Sequence, residues 1–227
     1  NDLSSIETTD IIPVDLNSLL YFTENMLSEF YDAYDNDKKA AFYEARSGKR
    51  MAAMEKYCYN KTENIYYDYN WKRKKQTGKF TPASFFPLWL LKPFADNQYD
   101  NAKAAAKKIQ EGLLQEGGVL ATSVNNKQQW DAPNGWAPLQ WVVITALADN
   151  QQEELAANIA RRWINLNNDV YQRTDKLMEK YNVSDTKLEA GGGEYPGQDG
   201  FGWTNGVLLA LIEKYGKPVP KKANKGF

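Results

Sequence analysis

The sequence predicts an all-α protein built from helical hairpins. Three observations carry that expectation. Apolar residues recur at i, i+3 and i+4 through most of the chain, the spacing of one helix face. Strands and helices do not alternate as βαβ units do, and no internal repeat aligns. Two long amphipathic segments near the start are joined by a short Asp-Asn-Asp turn, which makes an antiparallel helix pair.

In chain order, the first helix is expected from Pro13 to Tyr34, with Leu16, Leu19, Leu20, Met26, Leu27 and Phe30 on one face. Pro13 suits a helix start, and Asp15 in the first turn complements the dipole. Asp37 is a candidate cap for a second helix reaching about Tyr57. Residues 60–71 break the helical period. Ile65, Tyr67 and Tyr69 alternate with Tyr66, Asp68 and Asn70, as in a short strand or extended loop. Lys72–Lys75 is a small basic run that reads as a solvated face. Helical patterns resume at Pro82–Lys92, Tyr99–Gln115, Pro138–Asn150, Gln152–Tyr181 and Thr204–Tyr215. Within them, the Ala/Lys-rich stretch Ala102–Lys108 fits an exposed helix. Residues 217–227 are rich in Pro and Lys and read as a loose C-terminal tail. This makes about seven helices, with no linker that divides the chain.

Composition removes several function classes. The 227 residues carry 28 Lys+Arg against 29 Asp+Glu, a formal net charge of −1, so the basic footprint of a nucleic-acid partner is missing. The single cysteine, Cys58, excludes an internal disulfide and a cysteine zinc site. Histidine is absent, which excludes a Ser–His–Asp or Cys–His mechanism carried by this chain alone. No metal and no cofactor is expected. No apolar run reaches the roughly 18 residues of a membrane span. Asn1–Ser5 does not read as a signal peptide, although a removed leader would leave no trace.

Two stretches place large aromatics where loops are expected. In Gln128–Trp141, three tryptophans lie within twelve residues, among amides, a carboxylate and two prolines. An indole packs on the apolar face of a pyranose while Asn, Gln and Asp exchange hydrogen bonds with its hydroxyls, so this composition fits a sugar. The alternative is that these tryptophans anchor a helix start in the core, the reading that suits Trp141 better. The second stretch, Gly191–Gly206, is glycine-rich and allows positive φ and close backbone approach to a ligand. It lacks the Gly-Lys-Ser/Thr ending of a phosphate loop, and Glu194 and Asp199 oppose anion binding. Its alternative is a flexible loop. A third candidate is Glu179, at the end of a predicted helix. Without histidine, acid–base work falls to carboxylates, and a carboxylate pair acting on a glycosidic bond is one such arrangement.

Together and in this order, these segments resemble the C-terminal half of trehalase, glycoside hydrolase family 37. Gln129–Trp141 resembles the second signature of that family, Gly191–Val207 its glycine-rich lid, Lys176–Val183 the segment of its catalytic base, and Ile12–Leu19 the stretch that follows its catalytic acid. The resemblance implies that residues 1–216 are the C-terminal portion of a trehalase catalytic domain. It also implies part of an (α/α)6 barrel, and inverting hydrolysis of α,α-trehalose to two glucoses. Glu179 matches the general base, and Glu194 a sugar-contacting glutamate. Trp130, Trp136, Phe201 and Trp203 are expected to line or close the pocket. Asp131, Asn134 and Gln129 are candidate pocket supports, with a helix-capping role as the alternative for Asp131.

The resemblance also marks what is missing. The acid of the family is an aspartate in a Gly-Trp-Asp context, and no Gly-Trp-Asp occurs here. Seven helices are also too few for a ring of six hairpins. The chain is therefore expected to need an N-terminal trehalase polypeptide carrying the acid, and to be inactive and to expose a broad apolar patch without it. Two other readings stay open: a non-catalytic glycan-binding or scaffold fragment of the same fold, and an (α/α)6 glucosidase for another disaccharide. The family occurs in several compartments; a periplasmic or secreted location is favoured over the cytoplasm. Asn60-Lys61-Thr62 and Asn182-Val183-Ser184 match the glycosylation pattern.

Overall fold

The computed structural model describes residues 6–91, 98–191 and 197–218. Most of the expected tail, residues 219–227, and Glu194 lie outside the described residues. The chain divides into two compact units, Asn1–Lys108 with Asp149–Gln152, and Ile109–Ala148 with Glu153–Phe227. The all-α expectation holds: seven α-helices dominate the described residues, and the strands are two or three residues long.

In the first unit, a 3-10 turn at Thr8–Asp10 leads into β1 (Ile11–Ile12) and then α1 (Val14–Ala33). Pro13 stands at the N-cap and offers no side-chain cap. That role passes to Asp68, whose Oδ1 accepts the Val14 N–H at 2.8 Å. The cap of α2 (Asp37–Tyr57) is Asn36, one residue before the expected Asp37; its side chain accepts from the Lys39 N–H. The break in helical period at 60–71 is a set of short antiparallel pairs. β2 (Tyr59–Asn60) pairs with β3 (Ile65–Tyr66), and β4 (Tyr69–Asn70) lies between β1 and β5 (Lys75–Gln76). The expected alternation of faces is absent, because Ile65, Tyr66 and Tyr67 are all buried. Lys72 is exposed and paired with Asp10, as a solvated face requires. The helix expected at Pro82–Lys92 is a 3-10 turn, Pro82–Phe85, running into the short α3 (Phe86–Leu90).

Helices α1 and α2 pack as the expected hairpin, over a core of Val14, Tyr21, Met54, Cys58, Tyr59, Tyr66 and Leu91. The stripe that announced α1 is not in that core. Leu16, Leu19, Leu20, Met26 and Phe30 are exposed, whereas Val14, Ser18, Tyr21 and Glu24 are buried. The inward position of Glu24 is compensated by α2: the Arg50 guanidinium grips both carboxylate oxygens, and Arg46 adds a third hydrogen bond. The Ala/Lys stretch also departs from expectation. In α4 (Gln98–Gly112), Ala102, Ala105 and Ala106 form a buried face with Ile109. Small side chains there allow close backbone approach.

The second unit contains a hairpin of β6 (Leu114–Gln115) with β7 (Gly118–Val119), then β8 (Asn134–Trp136), α5 (Ala137–Asp149), α6 (Glu153–Thr174), β9 (Lys180–Asn182) and α7 (Gly202–Tyr215). β8 and β9 are antiparallel, with Trp136 opposite Lys180 and Gly135 opposite Tyr181. Helix α6 presents Ala156, Ile159, Ala160, Trp163, Ile164 and Asn167 inward, and α7 packs against it. The helix expected to reach Tyr181 ends seven residues earlier. Asp175 takes a positive φ of 57° and donates its N–H to the Tyr171 carbonyl, which stops α6 and frees the chain to form β9. Among the described residues, no helix is long and apolar enough to cross a membrane.

Candidate functional site

The second unit gathers most of the predicted site residues at one place, from three segments. β8 supplies Trp136, the loop before it Trp130, the approach to β9 Glu179, and the start of α7 Trp203 with Phe201. Glu179 thus sits at the entrance of a short strand, not at a helix end. The strand pairing is what sets it beside the aromatics.

Trp136 is the hub. It is fully buried, and Trp130 stacks on it with ring centroids 3.8 Å apart and planes 5° from parallel. Trp203 meets it edge-on at 5.9 Å, and Phe201 leans on Trp203 at 5.2 Å. Trp136 therefore backs the cluster. The exposed indoles of Trp130 and Trp203 offer the surface to solvent. Buried N–H groups on Trp136 (Nε1) and Gln129 (Nε2) meet no hydrogen-bond acceptor among the described residues.

The Glu179 backbone is pinned from two sides. Its N–H donates to the Gln198 carbonyl at 2.7 Å, and its carbonyl accepts from Trp203 Nε1 at 3.3 Å. One residue earlier, the Met178 carbonyl accepts from the buried Thr204 hydroxyl at 2.8 Å, and the Met178 N–H donates to the Tyr181 hydroxyl at 2.8 Å. Met178 also bridges to Asp199, which pairs with Lys176 at 2.6 Å. The lysine holds the Asp199 carboxyl below its usual value. Burial pushes the Tyr181 phenol up to about 12, so it accepts the Met178 N–H as a neutral hydroxyl. The Glu179 side chain is 3% exposed, and its Oε2 lies 3.0 Å from Lys180 Nζ.

Two of the three candidate supports, Asp131 and Asn134, hold loops with their side chains, whereas among the described residues Gln129 offers only its backbone carbonyl. Asp131 Oδ2 accepts the backbone N–H groups of Asn126 at 2.6 Å and Gln128 at 3.2 Å. It does not cap α5, which begins six residues later. Asn134 is fully buried: its amide donates to the carbonyls of Gln129 and Gly191, and its oxygen accepts the Gly191 N–H. It thereby ties the tryptophan-rich loop to the start of the glycine-rich one. Asn182 is also buried, with its oxygen accepting from Ser184 and Asp185, which removes it as an accessible glycosylation acceptor.

Two residues outside the sequence expectations hold the frame. Gln140, on α5, is fully buried; its amide accepts the Val119 N–H and donates to the Val119 carbonyl, as a third strand would. Gly135 has no room for a side chain, since an added Cβ would lie 2.5 Å from Val183 and 2.9 Å from the Val119 carbonyl. Gly135→Ala is accordingly expected to destabilise the protein by about 1–3 kcal/mol and to part β8 from β9. A lowered urea midpoint with altered tryptophan fluorescence checks this.

A family profile described as Trehalase matches residues 1–216. The chain belongs to the trehalase family. A periplasmic trehalase from Citrobacter koseri is 46% identical over 213 residues, covering 94% of this chain and 37% of that relative. One from Salmonella paratyphi B is 45% identical over 211 residues, covering 93% and 36%. The chain spans a little over a third of the length of the curated relatives it matches. Among solved structures, neutral trehalase Nth1 from Saccharomyces cerevisiae aligns with a TM-score of 0.72 at 24% identity, over 90% of this chain and 38% of that one. A family 63 mannosylglycerate hydrolase from Thermus thermophilus aligns with a TM-score of 0.63 at 17% identity, over 90% and 46%. These likenesses show the fold, all-α and part of an (α/α)6 barrel.

Proposed function

We propose that this chain is the C-terminal portion, residues 1–216, of an inverting trehalase that cleaves α,α-trehalose to two glucose molecules. The observation that carries the reading is the convergence of Glu179 with Trp130, Trp136 and Trp203, in a chain of the trehalase family. Glu179 is the base: it takes a proton from water, the water oxygen attacks the anomeric carbon, and an acid protonates the departing glycosidic oxygen. Inversion sets the two carboxyls roughly 6.5–9.5 Å apart, with water between one of them and the sugar. Trp130 and Trp203 carry the apolar face of the ring, and Glu194 bonds a hydroxyl.

The acid comes from an N-terminal trehalase polypeptide. Three observations support that partner: the absence of Gly-Trp-Asp, relatives about two and a half times as long, and the apolar stripe Leu16–Leu19–Leu20–Met26–Phe30 exposed on α1. The Citrobacter and Salmonella relatives, both periplasmic trehalases, support a periplasmic location.

The test is trehalose hydrolysis by the chain alone and by the chain joined to a trehalase N-terminal polypeptide containing Gly-Trp-Asp. The joined protein is expected to release equal initial amounts of α- and β-glucose, because inversion changes only the attacked ring. Turnover by the isolated chain as a monomer overturns the partner requirement. Two α-glucoses overturn inversion. Sugar binding without turnover in the joined protein supports the non-catalytic reading instead.

A further inference from the structure

Lys180 is charged and long, yet only 1% exposed, and its Nζ sits 3.0 Å from Glu179 Oε2. A buried lysine is costly unless it is paired. Its backbone is fixed in β9 opposite Trp136, and its ammonium lies 5.4 Å from the Trp136 ring centroid. It is thus held by the strand, the carboxylate and the indole together. We infer that Lys180 is a positioning residue for the proposed base, fixing the plane of the Glu179 carboxylate beside the tryptophan cluster. The inference rests on the base reading above and adds to it a residue that does not touch the substrate.

A carboxylate acts as a base only when one of its oxygens is aimed at the water, and a charge-assisted hydrogen bond to its other oxygen holds that aim most firmly where the surroundings are dry. Among the described residues, Lys176 pairs with Asp199. Arg173, on α6, donates to the Thr186 carbonyl. With Lys187 and Glu189 it lines a cavity of about 210 Å³ whose wall Lys180 shares.

The experiment compares Lys180→Met, Lys180→Gln and Lys180→Arg in the assembled enzyme, the chain joined to its N-terminal portion, with trehalose as substrate. Both neutral variants are expected to lower kcat about 10²-fold with KM changed less than about threefold. Lys180→Arg is expected to restore most of the rate, because a charged donor returns. A kcat that stays within about threefold of the wild type in folded neutral variants, or a loss that Lys180→Arg does not restore, overturns the inference. So does failure of both neutral variants to fold, which would make the lysine a structural residue. Glu179→Gln, assayed alongside, separates the two readings. If it turns over like the wild type, the base assignment is wrong. If it is inactive while the neutral Lys180 variants keep the wild-type kcat, only the inference about Lys180 falls.

Discussion

Glu179→Gln in the assembled enzyme is expected to lower kcat by about 10²- to 10⁴-fold, the usual contribution of a general base, while KM for trehalose changes little. The amide keeps the size of the carboxyl but cannot take a proton from water. The fold is expected to persist at reduced stability: the backbone bonds that pin this residue, Glu179 N–H to the Gln198 carbonyl and Trp203 Nε1 to the Glu179 carbonyl, do not involve the carboxyl, but the buried Lys180 ammonium loses the carboxylate it pairs with. Steady-state kinetics with circular dichroism of the same sample measures both effects. Wild-type turnover would remove Glu179 from the mechanism. A parallel loss of rate and fold would make it a structural residue instead.

The second large effect is on stability and lies in the first unit. Glu24→Gln is expected to destabilise by about 3 kcal/mol, the low end for breaking a buried ion pair, because Arg46 is half exposed and recovers part of its solvation. Arg50 loses its bidentate partner, with hydrogen bonds of 2.8 and 2.9 Å, and keeps only Asn17 among the contacts described here. Urea denaturation followed by circular dichroism checks the magnitude. The pH dependence gives an independent check. Arg50 first, and then Arg46, holds the Glu24 carboxyl below its usual 4.5. The stability it contributes is therefore fully present above pH 4.5 and is lost as pH falls through the lower folded value. Asp68 acts in the opposite sense. Burial raises its carboxyl above the usual 3.8, with the Val14 N–H opposing that in part. Its contribution is best below 3.8 and declines as pH rises through the folded value. Subtracting the Glu24→Gln profile from the wild-type profile should leave a stability difference that vanishes in acid. A difference independent of pH would contradict the ion-pair account.

Much of the architecture was legible because it is local. Helix period, Pro13 and Asp37 as the expected cap set α1 and α2 to within a residue, the cap itself falling on Asn36. By composition alone the tryptophan-rich and glycine-rich stretches were candidates for a sugar site, with a core anchor and a flexible loop as their alternatives. What was less legible came from partners distant in sequence. Nothing around Val170–Tyr181 disfavours helix strongly, and the turn at Asp175 is stable because β8 waits to pair with residues 180–182. Lys180, between Glu179 and Tyr181, reads as a surface lysine until the fold buries it. Gln140 looks like any polar helix residue until its amide is seen clasping Val119.

By itself, the sequence determined the helical class, the hairpin of α1 and α2, and the exclusion of histidine chemistry, an internal disulfide and a cysteine zinc site, and it offered candidate residues for a sugar site. Only the tertiary structure decided which faces those helices bury, that Glu179 enters a strand, and that Trp136 stands behind Trp130 instead of beside it. The reason is physical. Period and capping act over one or two turns and are written in neighbouring residues, whereas burial, strand register and charge pairing depend on groups that only folding brings together.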